Sequence, residues 1–266
     1  MESNTCFHAT SCLPEEDRIR ISRFGKGPTV PVPHSLVHEA FEKIVDAHPT
    51  VTAATFSGRC ISYQQLDEAA NRLANRLIHA GLTPKQRVCL VVQRSFEMLV
   101  GIFAILKAGC QYVPVDGGVA SEVALTHILT DSGARFVLCL PKFWERTAKI
   151  AREDSVIVAL DNDVGASFPS TRPSVQVSRY DGAYAIYTSG KLERGVTLTL
   201  TYIFRLGSTG TPKGVDVMHA NVTNALLLEP ARLNITVGSR VAQVLSVAFD
   251  MGTFLYHNSM NYLTMI

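Results

Sequence analysis

Between residues 87 and 160 the chain predicts an α/β fold: a parallel sheet with helices on both faces. The runs Arg87–Val92, Phe136–Leu140 and Ser155–Leu160 are apolar without polar alternation, the pattern of strands buried on both sides. Amphipathic segments of helical period separate these runs, which is the order expected of layered α/β architecture. A hydrophobic content of 47% against 18% charge agrees with a globular core.

Residues 1–33 mix charge, Pro and Gly without a period and are expected to form an irregular leader. A helix should begin near Ser35, read as its capping serine, because Leu36, Val37, Ala40, Phe41 and Ile44 recur at helical spacing and Pro49 follows. Val51–Phe56, the Ser57-Gly58 turn and Arg59–Ser62 read as a hairpin. Ser62-Tyr63-Gln64-Gln65 has capping-box spacing for the next helix, which carries Leu66, Ala69, Ala70, Leu73, Leu77 and Ile78 on one face and stops at Gly81.

Alternation follows: strand Arg87–Val92, helix Ser95–Ala108 closed by Gly109, strand Gln111–Val115 and helix Ser121–Thr130. Strand Phe136–Leu140, a helix near Lys142–Ile150 and strand Ser155–Leu160 complete it. The expected organisation is a leader over 1–33, a first α/β lobe over 34–160, a surface connection rich in Asp, Ser and Pro over 161–182, and the start of a second lobe over 183–266.

A net charge of +2, evenly spread, argues against a nucleic-acid partner. Apolar runs such as Val88–Val92 and Ile102–Leu106 fall far short of the ~20 residues a membrane-spanning helix needs. Met1–Thr5 has neither a basic nor an apolar leader region, so a cytoplasmic location is expected. Six scattered cysteines with no C-x-x-C pair read as reduced thiols. Without a second cluster, Cys6, His8 and Cys12 are not read as a metal site.

The functional signal lies between Tyr187 and Val215. Tyr187-Thr188-Ser189-Gly190 and Ser208-Thr209-Gly210-Thr211-Pro212-Lys213-Gly214-Val215 join, once Lys191–Gly207 is removed, into one Gly/Ser/Thr/Lys string. Gly190, Gly210 and Gly214 let backbone N–H groups converge on an anion. The hydroxyls of Thr188, Ser189, Ser208 and Thr209 add donors, and Lys213 adds a charge. A polyphosphate suits that set. Pro212 stands where a Walker loop needs its second glycine, and Gly214 where it needs a hydroxyl, so this is not a Walker loop.

The rejoined string resembles the signature of the adenylate-forming (AMP-dependent synthetase/ligase) superfamily, most closely the N-terminal part of nonribosomal peptide synthetase adenylation domains. Ile61–Leu66 resembles the first family motif, with Gln65 in place of Glu. Leu106–Asp116 resembles the second, with Gly117 after it in place of proline. Val215–Asn221 and Phe249-Asp250 resemble later segments, so the resemblance runs from about Pro31 to Asp250.

The resemblance implies activation of a carboxylate by ATP and Mg²⁺ to an acyl adenylate with release of pyrophosphate, then transfer to a thiol of CoA or a phosphopantetheinyl carrier domain. It assigns Thr188, Ser189, Gly190, Ser208, Thr209, Gly210, Thr211, Lys213 and Gly214 to the phosphate loop. Asp250 would pair with a substrate α-ammonium group, which implies an amino acid. No catalytic residue is assigned: the family's catalytic lysine, hinge and magnesium-binding acid fall beyond the resembling stretch.

Two departures qualify the resemblance. Lys191–Gly207 includes the β-prone run Thr197–Phe204 inside a loop that must close on phosphate, and its ends can be encoded as splice signals, GGT-AAG at Gly190-Lys191 and TAG at Leu206-Gly207. A translated intron is therefore expected, with a lineage-specific insertion as the competing reading. After Met251 the tail Gly252–Ile266 is apolar without a recognisable motif, and a truncated, impaired enzyme is expected. The alternatives are an acyl- or aryl-CoA ligase fragment, or a non-catalytic nucleotide-binding or scaffold remnant.

Overall fold

The structure is a computed structural model, and it describes residues 13–25, 31–161, 163–188, 212–227, 239–249 and 263–265. The chain divides into two compact units, residues 1–31 and 32–266.

In the first unit, α1 (Glu15–Phe24) is a helix where an irregular leader was expected. Glu15, Glu16 and Asp17 occupy its first turn, where carboxylates complement the helix dipole. Glu15 pairs with Arg18 and Glu16 with Arg20, at the helical spacings that bring side chains together. None of its residues is buried, so apolar periodicity gave no sign of it.

The second unit opens with α2 (Val37–Ala47), then β1 (Thr52–Phe56) and β2 (Arg59–Ser62), an antiparallel hairpin. Ser57 and Gly58 both have positive φ, 50° and 76°, as a two-residue type I′ turn requires. α3 (Tyr63–His79) starts on a complete capping box: Ser62 Oγ accepts from Gln65 N, and Gln65 Oε1 accepts from Ser62 N at 2.9 Å. Glutamine thus does the capping work of the usual glutamate.

β3 (Arg87–Val92), α4 (Phe96–Lys107), β4 (Gln111–Asp116), α5 (Glu122–Asp131), β5 (Phe136–Cys139), α6 (Trp144–Ile150) and β6 (Val156–Ala159) form the expected alternation. Ser95 and Ser121 cap α4 and α5 through their hydroxyls. A 3-10 turn, Pro141–Phe143, precedes α6. Gly109 ends α4 at φ +73°, and a Cβ there would lie 2.7 Å from Val175, so the stop is set by both backbone and packing.

The remaining elements are β7 (Gly182–Thr188), β8 (Lys213–Met218), α7 (His219–Leu227), β9 (Ser239–Val241) and β10 (Leu263–Met265). Six strands form one sheet in the order β6-β5-β3-β4-β7-β8, parallel except for the antiparallel pair β7 and β8. β7 and β8, where a second lobe is expected to begin, join the sheet of β3 to β6 at its β4 edge. Strand order is a tertiary property that local periodicity does not encode. A second sheet runs β2-β1-β10-β9, with β10 parallel to both β1 and β9. Part of the tail that carries no recognisable motif thus supplies a strand.

Side chains alternate across the six-stranded sheet. Val88, Leu90, Val92, Phe136, Leu138 and Ile186 face one core with α2, α3, α4 and α7. Cys89, Val91, Val113, Val115, Val137 and Ala185 face a second core with α5. The connection over 161–182 straps α3: Asn71 Nδ2 donates to Ser170 O and Asn75 Nδ2 to Pro169 O and Thr171 O, each at 2.9 Å. Gly117 lies under the Phe143 ring, where a Cβ would sit 2.4 Å from a ring carbon, and its N–H donates to Val92 O at 2.9 Å, a bond that proline could not make.

The helix expected to start at Ser35 starts two residues later, and its N-cap, Leu36, makes no side-chain bond. The first amide, Val37 N–H, donates instead to His219 Nδ1 at 3.2 Å, so the cap comes from α7 and not from the serine.

Candidate functional site

In open α/β sheets, ligands bind outside the carboxyl ends of the parallel strands. At that edge β7 ends in Thr188 and β8 begins at Lys213, and the two residues are paired across the ladder. One residue from each half of the split motif is thus brought opposite the other. Lys213 and Gly214 are exposed. Gly214 stands opposite Tyr187, and a Cβ on it would come within 3.0 Å of the phenol ring, so the glycine accommodates Tyr187.

Of the residues expected to bind phosphate, Thr188, Lys213 and Gly214 lie within the described residues. Ser189, Gly190, Ser208, Thr209, Gly210 and Thr211 lie outside them, as do Asp250, the segment 191–207 and Cys6, His8 and Cys12. The segment before Asp250 reaches the same edge. Ser246 Oγ donates to Asp116 Oδ2 at 2.6 Å, and Arg94 donates to Gln243 O and Val244 O at 2.9 and 3.1 Å. Asp116, last residue of β4, also accepts from Gly118 N at 3.0 Å.

α5 touches both strands next to the edge. The Tyr187 hydroxyl donates to Asp131 Oδ2 at 2.7 Å. His127 Nε2 lies 2.8 Å from Pro212 O, and with only a carbonyl to meet, it is the donor. The His127 and Tyr187 rings meet edge to face, centroids 6.1 Å apart. Burial, then the hydrogen bond to Asp131, raises the Tyr187 pKa, which keeps the phenol a donor. His127 and Asp131 were missed as site residues; their spacing of four on one helix was the available signal, with nothing in sequence to say what they face.

A cleft of about 510 Å³ opens at the other end of the strands, lined by Lys85, Arg87, Gln111, Arg135, Tyr180 and Asp216 among others. Its charges largely pair with neighbours: Arg87 Nη2 donates to both Asp216 oxygens at 3.0 and 2.8 Å, Gln111 Nε2 adds a bond to Asp216 at 3.0 Å, and Lys85 meets Asp181 at 3.2 Å. Burial pushes the thiols of Cys89 and Cys110 up to about 12 and that of Cys139 to about 11, so these three are packed thiols and not poised nucleophiles. Among the described residues, no helix is long and apolar enough to cross a membrane.

Residues 41–191 match the family of the AMP-binding enzyme. Adenylate-forming reductases 03009 and 06235 of Coprinopsis cinerea are each 38% identical, over 92% and 94% of this chain. Tyrocidine synthase 3 of Brevibacillus parabrevis is 36% identical over 79% of it. In fold the chain is similar to the crystal structure of the nonribosomal peptide synthetase FmoA3, with a TM-score of 0.78 at 23% identity over 95% of this chain. The chain belongs to the AMP-binding enzyme family, and what it matches in the synthetases is the N-terminal part of an adenylation domain. It spans 22% and 23% of the two reductases' length, 3% of the tyrocidine synthase and 24% of the FmoA3 chain.

Proposed function

We propose that the chain contributes the phosphate-binding part of an adenylation domain, whose parent reaction joins a carboxylate, in our reading an amino acid, to AMP at the expense of ATP. The observation that carries this reading is the pairing of Thr188 with Lys213 at the carboxyl edge of the sheet. It supports the joining of the two motif halves into one loop, because Thr188 and Lys213, one from each half, meet at the edge where α/β sheets bind ligands.

In this reading Thr188, Ser189, Gly190, Ser208, Thr209, Gly210, Thr211, Lys213 and Gly214 cradle the β- and γ-phosphates. Thr188 and Lys213 suit that role, since they stand opposite one another and the lysine is exposed where an anion can reach it. Holding the phosphates lets the carboxylate oxygen attack the α-phosphorus in line, so positioning and charge neutralisation dominate. Mg²⁺ would enter on the phosphate oxygens, as it ordinarily does. Asp250 would pair with the substrate's α-ammonium group; the described stretch shortly before it is anchored at this edge, Ser246 on Asp116.

The relatives named reductases and those named peptide synthases share the activation step in this reading. The subsequent transfer, to a carrier domain or CoA thiol, belongs to lengths of those proteins outside the match. Segment 191–207 is proposed to impair the loop it interrupts.

Titration calorimetry with Mg·ATP tests the reading on the 266-residue chain and on a variant lacking residues 191–207. Binding by the deletion variant alone supports both the loop and the disabling role of the segment. Binding by both supports the loop and removes that role. If neither binds, the phosphate-loop assignment fails.

A further inference from the structure

We infer that His127 and Asp131 are positioning residues: one turn apart on α5, they clamp the two strand ends that carry the phosphate-binding segment. This rests on the proposed phosphate role of that segment. Each bond falls immediately beside one end of the hairpin. Asp131 accepts from Tyr187, the residue before Thr188, and His127 donates to the carbonyl of Pro212, the residue before Lys213. Thr188 and Lys213 are themselves paired, so α5 holds the closed end of the hairpin from both strands at once.

The geometry is specific to these groups. The Tyr187 ring is gripped between two neighbours: His127 meets it edge to face at 85°, and the absence of a side chain on Gly214 lets it lie against β8. Among the described residues β8 is the last strand of the sheet, and it is largely exposed, so its starting residue is held in the ladder from one side. The α5 bond to Pro212 fixes what the ladder leaves free. Preorganised donors bind an anion better than ones that must be ordered first, because ordering them costs conformational entropy. Releasing the clamp should therefore weaken phosphate binding without removing any group that touches phosphate.

The test uses Tyr187→Phe, which deletes one hydroxyl, His127→Leu, which deletes the donor, and His127→Gln, which keeps a donor at similar reach. Mg·ATP affinity is measured by calorimetry on whichever form binds, the full chain or the variant lacking residues 191–207. Amide exchange by mass spectrometry is followed in all variants. The expected result is a loss of about tenfold in ATP affinity for Tyr187→Phe and His127→Leu, the scale of one hydrogen bond, with recovery in His127→Gln. Exchange at Lys213–Val215 should speed up at least about tenfold in His127→Leu, while β3 and β5 keep their protection.

ATP affinities within about twofold of the parent in both single variants, within the spread of a contact that contributes nothing, would overturn the clamp. Unchanged exchange at Lys213–Val215 would do the same. If the parent protein binds no ATP, the proposed function falls, and the exchange result alone still decides whether α5 holds the strand ends.

Discussion

His219 Nδ1 accepts a hydrogen bond from Val37 N–H at 3.2 Å, joining the start of α7 to the start of α2 across 182 residues of sequence. The bond requires a neutral ring with its proton on Nε2. Burial lowers the His219 pKa to about 4 against the opposing pull of Asp181, and the backbone of His219 also donates to Asp181 O at 3.1 Å. His38, 5.6 Å away ring to ring, is lowered to about 3 by burial, then by His219 and by Lys107.

Stability should therefore fall with acid in a defined window. Both histidines have folded pKa values below the unfolded 6.5, so their contribution is complete above pH 6.5 and is lost as pH falls toward about 4 and about 3. Asp46 and Asp181, whose pKa values are also lowered, lose their contribution as pH falls through the ordinary carboxylate range of about 4 and below, and leave pH 5 to 7 to the histidines. Urea unfolding should show a drop of about 2 kcal/mol per histidine between pH 6.5 and 5, and His219→Asn should remove about half of it. A flat profile over that range contradicts the arrangement.

Lys107 is buried with Glu42 and Asp67, its ammonium 2.8 Å from Asp67 Oδ1, and Arg172 of the connecting strap reaches the same carboxylates. Lys107→Met should cost about 3 kcal/mol, because it leaves the buried Asp67 and the half-buried Glu42 with Arg172 as the remaining cation of this cluster. Equilibrium urea unfolding measures it, and a loss below about 1 kcal/mol, the value of an exposed pair, would show that water reaches the cluster.

The family's second motif normally continues into proline where this chain has Gly117. Gly117→Ala, which keeps the N–H that Gly117 donates to Val92 O at 2.9 Å, should destabilise by about 1–3 kcal/mol through collision with Phe143. Combining it with Phe143→Ala should return part of that loss in a double-mutant cycle, since the two positions touch. Strict additivity of the two single changes would sink this explanation.

Features that rest on neighbours in sequence were readable without a structure. Ser62 and Gln65 cap α3, Ser95 and Ser121 cap α4 and α5, and Gly109 stops α4, because each depends on residues within a turn. Apolar runs likewise announced β3, β5 and β6, since burial on both faces leaves a mark in composition. The cap that His219 provides to Val37, the grip of α5 on Tyr187 and Pro212, and the placement of β10 between β1 and β9 join distant residues, and no local pattern carries them. α1 escaped for the opposite reason, as a helix supported by charge pairs and dipole instead of an apolar stripe. At the candidate site, the motif halves were legible as chemistry, whereas the meeting of Thr188 and Lys213 needed the strand pairing.

Segment 191–207 bears a further prediction at the level of the transcript. If it is a retained intron, most mature messages should lack its codons, and sequencing of complementary DNA reads this directly. Its persistence in most spliced messages would make it a true insertion.

The role of Lys213 is the central claim, and its most direct measurement is calorimetric titration of Mg·ATP into the variant lacking residues 191–207, with and without Lys213→Ala. The account predicts binding by the parent and a loss of at least about tenfold on removing the lysine, as for a charge-assisted contact to phosphate. Equal affinity in the two proteins, or no binding in either, would contradict it.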